Sequence, residues 1–452
     1  MENTDQKIIA RFPPSPTGWF HIGNARTAIF NYIFVKRNNG LLRFRLEDTD
    51  KERSKDEYAQ DIVSGLKWLG LDIDYDKPYK QSEHGETYKK YIETMIRNGT
   101  AYFSKEEVKE EGQRAEVIRL KNQNKKIKYV DMVRGEIEVD TTELGDFVIA
   151  KSITEPIYHL AVVVDDFEMG VTHVIRGEDG IYNTPRQILI QEAIGAPRPI
   201  YAHMPFILNE DRSKLSKRKQ GELVSLSYYR KQGYLPEAIV NYLSLCGWNP
   251  GTEQEILSMD ELVEKFDITK VQKSGAIFNR IKLNWFNKEY IKKLPAGERN
   301  RLILERLDKV WPEVSLEIKN NLLTILGDRI SYFAEVETII QSGEFDFLLK
   351  SPDYSTKKLI WKGETAQNTL GYLKAVHSLL ESMTENDFTE STTKTVIWPL
   401  TEKSGRGNVL WPLRYALSGM DRSPDPFILL KMLGREETLK RLTLAEKRLS
   451  SL

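Results

Sequence analysis

The stretch Arg11–Phe34, RFPPSPTGWFHIGNARTAIFNYIF, sets three prolines and a glycine between a short apolar strand and a helix. Ile8–Phe12 (IIARF) reads as the strand. Beyond the loop, Ala25, Ala28, Ile29, Tyr32 and Ile33 share one helical face, and Asn38-Asn39-Gly40 supplies the stop. The prolines hold the intervening backbone extended, and Gly18 and Gly23 permit its close approach to a ligand. His21 and Gly23 fall at the helix entrance, where free N–H groups and positive potential suit phosphate. Taken alone, a Pro/Gly loop with an incidental histidine is also an ordinary connection, and the stretch is neither a Walker loop nor a G-x-G-x-x-G.

Outward from this stretch the pattern alternates. Leu41–Glu47 (LLRFRLE) interleaves apolar and charged residues as a half-buried strand does, and DIVSGLKWLGL and HGETYKKYIETMIRNG read as helices. Such βαβα order predicts a parallel sheet with helical crossovers. Between about Tyr102 and Lys151 the pattern changes to short strands (VIRL, IKYVDMV, EIEV), which reads as an insertion into the α/β domain. Its Lys121, Lys125, Lys126, Lys128 and Arg134 make a basic patch, or else a solvated face. The α/β pattern then resumes. YHLAVVVDD and VTHVIRGED read as strands running into acidic residues, Asn183-Thr184-Pro185 as a capped helix start with proline at its first position, and MPFILN as a further strand. From about Ser225 helical periodicity dominates, ending in DPFILLKMLGREETLKRL.

The totals set limits. A chain of 452 residues exceeds one hydrophobic core, so several domains are expected. Net charge is zero, which confines any nucleic-acid binding to local patches. The single cysteine, Cys246, excludes an internal disulfide and a multi-cysteine zinc site and fits a reducing compartment. No basic segment leads into a long apolar run, and nothing approaches the roughly 20 apolar residues of a membrane span. The expectation is a cytoplasmic, multi-domain protein with no membrane contact.

A second chemical element lies about two hundred residues downstream of the first. In DRSKLSKRK, Arg212, Lys214, Lys217, Arg218 and Lys219 are interleaved with Ser213 and Ser216. Cations on a loop at the carboxyl edge of an α/β sheet can neutralise a pyrophosphate leaving group. Together, P-S-P-T-G-x-x-H-I-G and K-L-S-K-R resemble the HIGH and KMSKS signatures of class I aminoacyl-tRNA synthetases. Within that class RLEDTD, LKWLGL, YHLAVVVDD, GVTHVIRGED, NTPRQ, MPFILN and, towards the C-terminus, LWPLRYALSG and LLKMLG resemble glutamyl-tRNA synthetase of the bacterial and organellar type.

The resemblance implies a Rossmann-like α/β catalytic domain (1–101 and 151–224) split by a shortened acceptor-stem-binding insertion (102–150). A helical stem-contact region (225–300) and an all-α anticodon-binding domain (301–452) follow. It implies ligation of L-glutamate to tRNA-Glu by a monomer, with ATP and Mg2+. By motif position, His21, Lys214 and Lys217 are the catalytic candidates, and Pro14, Ser15, Thr17, Gly18, His21, Gly23, Asn24, Lys214, Leu215, Ser216, Lys217 and Arg218 hold ATP. Arg11, Ser15, Glu47, Tyr158 and Arg176 form the amino-acid pocket, Glu47 taking the substrate ammonium and the two arginines its side-chain carboxylate. Glu47 and Asp50 also fit plain strand-end ion pairs with Arg45 or Arg53.

Departures from the family pattern are Pro13 for alanine, Val162 for asparagine, Gly180 for a larger side chain near the adenine, and an insertion without the zinc-binding cysteines of some members. No protein-bound metal, in particular no zinc, and a reduced grip on the acceptor stem are expected. Non-discriminating or tRNA-Gln-directed glutamylation, and an RNA-binding paralogue without activity, are the alternatives. Glutaminyl relatives end in β-barrels, whereas this C-terminal third reads as helices.

Overall fold

The computed structural model describes residues 7–75, 78–107, 115–215 and 221–452, and these form two compact units, Met1–Tyr290 and Ile291–Leu452. In the first unit, strand β1 (Ile9–Phe12) leads through the proline loop into helix α1 (Ile22–Arg37), which returns to strand β2 (Leu41–Leu46). β1 and β2 are parallel, in register from Ile9 opposite Leu41 to Phe12 opposite Phe44. The stop between them is built as its residues predict. Asn39 takes a φ of 52°, and a Cβ on Gly40 would lie 2.6 Å from the Ile8 carbonyl oxygen, so only glycine fits where the chain passes β1. Helix α2 (Asp56–Trp68) crosses to the short β3 (Tyr79–Lys80), again parallel to β2, and α3 (Gly85–Arg97) follows.

The region after α3 is woven into the α/β domain. Strands β4 (Ala101–Lys105), β5 (Glu116–Leu120), β8 (Phe147–Ser152) and β9 (Glu155–Pro156) form one antiparallel sheet in that order. The hairpin β6 (Lys126–Asp131) and β7 (Gly135–Asp140) instead extends a second sheet, in which β6 pairs in parallel with a catalytic-domain strand, Asp131 opposite Tyr201. One buried cluster joins Ile118, Ile127 and Ile149 of this region to Leu160, Val174 and Ile188.

Three expectations are corrected here. Tyr158–Glu168 is helix α4 rather than a strand, with Leu160 through Asp166 all buried. A short, wholly apolar run of β-branched residues has no period to distinguish a buried strand from a helix enclosed on all sides. MPFILN also contributes less strand than expected. The long strand lies just upstream as β11 (Ile200–Met204), and only Ile207–Leu208 continues, as β12. Pro205 lacks the N–H that a ladder needs at that point. The strand expected in VTHVIRGED is present as β10 (His173–Gly177), parallel to β11, with helix α5 (Thr184–Ile194) between them. Asn183 precedes α5 but makes no side-chain cap, because a 3₁₀ turn over Glu178–Tyr182 already delivers it in helical geometry.

β10 lies beside β1. The Ile9 N–H donates to Thr172 Oγ1 and the Thr172 N–H to the Ile9 carbonyl, both at 2.8 Å. The chain therefore leaves β1 towards β2 on one side and enters β10–β11 on the other. The carboxyl ends of β1 and β10 diverge at such a point, where open α/β sheets bind ligands.

The second unit contains helices and 3₁₀ turns only, among them Ala296–Val310, Leu316–Arg329, Ala366–Glu381, Glu390–Ser404 and Arg406–Ser418. The last helix, Pro426–Ser450, is broken at Gly434 (φ 71°, ψ 173°), where a single helix was expected. Beyond the break, the buried Arg441 donates to the carbonyls of Leu417 and Phe347, tying the terminal helix to the segments before it.

Candidate active site

A cavity of about 420 Å³ opens at the carboxyl ends of β1 and β10. Its walls include Arg11, Ser15, Glu47, Tyr158 and Arg176, and also Pro14, Thr17, His21, Gly23, Asn24, Lys214 and Leu215. Nearly every residue singled out from sequence therefore meets in one space. Gly18 does not line it, and Ser216, Lys217 and Arg218 lie outside the described residues.

The proline loop has one backbone bond of its own, from the Thr17 N–H to the Ser15 carbonyl at 2.9 Å, and is otherwise held from outside. The Pro14 carbonyl accepts the Glu47 N–H at 3.0 Å, the Pro16 carbonyl accepts the Lys55 N–H at 3.0 Å, and the Phe20 N–H donates to Asp61 at 2.7 Å. Gly65 of α2 packs against this loop so closely that a Cβ would fall 2.6 Å from the Phe20 ring. The loop delivers His21 as the N-cap of α1, and its Nδ1 accepts the Gly23 N–H at 2.9 Å. An Nδ1 that accepts leaves the ring proton of the neutral imidazole on Nε2. His21 also bridges to Ser225, and the Leu226 N–H donates to the Phe20 carbonyl, so the chain leaving the lysine loop returns directly to the histidine.

On the β1 side, the Arg11 Nε contacts both carboxylate oxygens of Asp166 at 3.2 and 3.3 Å. Arg45, fully buried, donates to Asp166 at 2.7 Å and to Glu47 at 3.0 Å. The strand-end ion pair between Glu47 and Arg45 is thus present, and so is that between Asp50 and Arg53, at 2.6 Å on the surface. Asp165 accepts hydroxyls from Tyr79 and Tyr88 and the amide of Gln81. Burial alone would raise Asp166, yet Arg11 and Arg45 hold it below the ordinary carboxylate value. Glu47 goes the other way: burial raises it despite Arg45, so this carboxylate gains from any further cation.

On the β10 side, Arg176 donates through Nε to His203 Nε2 at 3.0 Å, and through Nη2 to Thr184 Oγ1 at 2.7 Å and the Gly180 carbonyl at 3.1 Å. Arg11 and Arg176 share one property: in each, Nη1 is buried without a hydrogen-bond partner among the described residues. Across the cavity, the Lys214 ammonium sits 3.9 Å from the Phe206 ring centroid, and the Leu215 N–H donates to the Ile207 carbonyl. Arg26 of α1 completes the floor, bonded to the carbonyls of Cys246 and Pro205, with its pKa lowered by burial to about 10.

Sequence reading missed Arg26, Asp166, His203 and Asp131, each of which has a partner over 70 residues away in the chain. A polar residue set in an apolar run, in VVVDD and in YAHMPF, hinted at Asp166 and His203 alone. Val162 is buried within α4 and does not line the cavity. The basic patch largely dissolves. Lys126 and Lys128 share Glu138, Lys125 pairs with Glu192, and Arg134 turns inward to Glu178 and the His203 carbonyl. Among the described residues no group of three or more His, Cys, Asp or Glu side chains is placed to hold a metal ion, and no helix is long and apolar enough to cross a membrane.

A family model described as tRNA synthetases class I (E and Q), catalytic domain, matches residues 7–115 and 103–285, and an anticodon binding domain model matches residues 270–445. The glutamate–tRNA ligase of Aquifex aeolicus is 37% identical over 98% of this chain and 100% of that protein, and that of Sulfurihydrogenibium sp. 35% identical over 96% and 98%. A crystal structure of a glutamate tRNA ligase from Elizabethkingia meningosepticum in complex with its amino acid matches with a TM-score of 0.85 and 30% identity, over 98% of this chain and 100% of that one. The order of the matched models, catalytic then anticodon-binding, is also the order of the α/β and all-helical parts of the fold. With likeness running the length of both chains, this protein belongs to the glutamate–tRNA ligases, a family of class I aminoacyl-tRNA synthetases.

Proposed function

We propose that this glutamate–tRNA ligase joins L-glutamate to tRNA-Glu in two steps within the cavity between β1 and β10, with the residue roles set out below. In the first step an oxygen of the glutamate α-carboxylate attacks the α-phosphate of ATP, which carries Mg2+. The bond from that phosphorus to the bridging oxygen breaks, and pyrophosphate leaves with the electron pair. In the second step a hydroxyl of the tRNA's terminal ribose attacks the acyl carbon of the adenylate. The bond from that carbon to the phosphate oxygen breaks, and AMP leaves with the electron pair while the hydroxyl proton passes to the departing phosphate or to solvent. The nucleophile of the first step is already ionised, so positioning and electrostatics carry the rate.

The observation that carries this reading is the pair of buried guanidiniums. Arg11 and Arg176 line one cavity, each with an Nη1 lacking a partner among the described residues. Buried donors without partners cost stability unless a ligand supplies an acceptor. A carboxylate, with two acceptor oxygens and a negative charge, fits two such donors, whereas the amide of glutamine would turn its own N–H groups on one of them. Glu47, raised by burial, takes the substrate ammonium, and Ser15 and Tyr158 complete the pocket.

His21 supports charge developing on the phosphates. Lys214 and Lys217 take the pyrophosphate side, and Pro14, Thr17, Gly18, Gly23, Asn24, Leu215, Ser216 and Arg218 complete the nucleotide site. The enzyme acts as a cytoplasmic monomer. Residues 102–150 and 225–300 hold the acceptor arm, and residues 301–452 read the anticodon.

Purified enzyme with ATP, labelled glutamate and tRNA-Glu transcript is expected to charge the tRNA, and to exchange pyrophosphate into ATP when tRNA is present. Absence of both reactions would overturn the reading. Competition with tRNA-Gln transcript measures whether the anticodon region discriminates between the two.

A further inference from the structure

The cavity wall at Arg176 is backed by two residues outside the proposed pocket. His203 and Asp131 are both fully buried, and His203 Nδ1 lies 2.6 Å from Asp131 Oδ2. The His203 backbone N–H also donates to this carboxylate, as do the N–H groups of Val133 at 2.9 Å and Arg134 at 2.8 Å. An ionised carboxylate only accepts, so the proton of the neutral ring sits on Nδ1 and Nε2 is left as an acceptor. Burial, the largest influence, together with Arg176 and Arg134, keeps the ring's pKa below its ordinary value against the pull of Asp131, so the ring is neutral at physiological pH. The acceptor Nε2 meets two donors, Arg176 Nε at 3.0 Å and, less closely, the Thr184 hydroxyl at 3.2 Å.

The guanidinium has five N–H groups. His203 takes the one on Nε, and Thr184 and the Gly180 carbonyl take the two on Nη2. The two on Nη1 remain. Gly180 makes this orientation possible by what it lacks, since a Cβ there would lie 2.3 Å from Arg176 Nε and 2.6 Å from Cδ. We propose that Asp131 and His203 are positioning residues for glutamate recognition. Asp131 fixes the His203 tautomer, His203 fixes the Arg176 guanidinium, and the result directs Nη1 to the side-chain carboxylate of the substrate. This rests on the reading that Arg176 binds that carboxylate. Asp131 belongs to β6, the inserted hairpin, so the array crosses from the insertion to the amino-acid pocket.

The proposal makes the tautomer the active element. In D131N, the amide oxygen is claimed by the backbone N–H groups of Val133, Arg134 and His203, which turns the NH2 towards Nδ1. The ring proton then moves to Nε2, where it faces the Arg176 Nε–H and can bond only to Thr184 Oγ1, so the acceptor for Nε is lost. H203L removes the acceptor altogether, and H203Q keeps an oxygen near the position of Nε2.

The test is steady-state charging of tRNA-Glu with glutamate and with glutamine, each KM measured separately from that of ATP. D131N and H203L are expected to raise the glutamate KM roughly 10–100-fold, as for loss of a charge-assisted hydrogen bond, and to leave the ATP KM unchanged. The preference for glutamate over glutamine falls with it, and H203Q stays within about 3-fold of wild type. Folded D131N and H203L with the wild-type glutamate KM would overturn the proposal. R176A with an unchanged glutamate KM would instead remove the reading beneath it, so the two failures are distinguishable. Where a variant does not fold, ¹⁵N NMR of histidine-labelled wild type decides: a His203 protonated on Nδ1 supports the array, and one protonated on Nε2 overturns it.

Discussion

The imidazole Nδ1 of His21 accepts the backbone N–H of Gly23 at 2.9 Å, across the first turn of the helix that the proline loop delivers. The two residues depend on each other: a Cβ on Gly23 would lie 3.0 Å from that same nitrogen, tighter than ordinary contact. G23A is expected to tilt the ring away from the cavity. A shift of a few tenths of an ångström is well short of the ~1 Å that costs about 10²-fold, so a loss of roughly tenfold in rate is expected. H21A, which removes the donor, costs roughly 10²–10³-fold. Pyrophosphate exchange in the presence of tRNA, with folding checked by circular dichroism, measures both, and wild-type exchange in G23A would show that the contact is dispensable.

Gly180 offers a second steric test. G180A must displace Arg176, because the new methyl and the guanidinium claim the same volume. The glutamate KM is expected to rise roughly tenfold as the bonds to His203 and Thr184 are lost. Restoration of the wild-type KM in a G180A variant would mean that Arg176 acts from another position.

Arg45 holds Asp166 and Glu47 together with no exposure of its own. R45M keeps most of the volume but leaves buried Glu47 without its cation and Asp166 with Arg11 alone. Breaking a buried ionic group in this way costs about 3–5 kcal/mol. Calorimetry should show the loss in the transition of the N-terminal unit, whose residues make the cluster. A change below about 1 kcal/mol, the value of an exposed pair, would contradict the buried geometry.

Acid should destabilise the N-terminal unit through its histidines. Burial, reinforced by Arg186 and Arg176, pushes the His159 pKa from 6.5 down to about 4. Between those values the unfolded chain binds the proton and the folded chain does not. Stability therefore falls as pH drops through about 6.5 towards 4 and is insensitive to this group above that range. His173 and His203 are shifted in the same direction, burial being the largest cause for each. Urea midpoints measured at about pH 7.5 and about pH 5.5 should differ less in H159Q than in wild type, and an equal difference would remove His159 from the account.

The motifs were legible because they are local. Three prolines, two glycines and a histidine define a strand, a stiff loop and a helix start over fewer than thirty residues, and these elements stand where their residues predict. Alternation in LLRFRLE, the Asn-Asn-Gly stop and the helical periodicity of the C-terminal third were equally readable, since each depends on neighbours in the chain. Tyr158–Glu168 was not readable: a run buried on every side carries no amphipathic period, and the choice of helix is made by packing against α3 and α5. Nor were Asp131, Asp166 and His203, because a buried charge shows its meaning only when its partner arrives from another strand or helix. Sequence alone determined which segments of the α/β domain meet at the cavity, the proline loop with His21 and the segment that carries Lys214 and Leu215. Tertiary structure decided how the site is held, since the desolvation of Arg11, Arg45 and Arg176, and the direction each guanidinium faces, exist only once distant segments close around them.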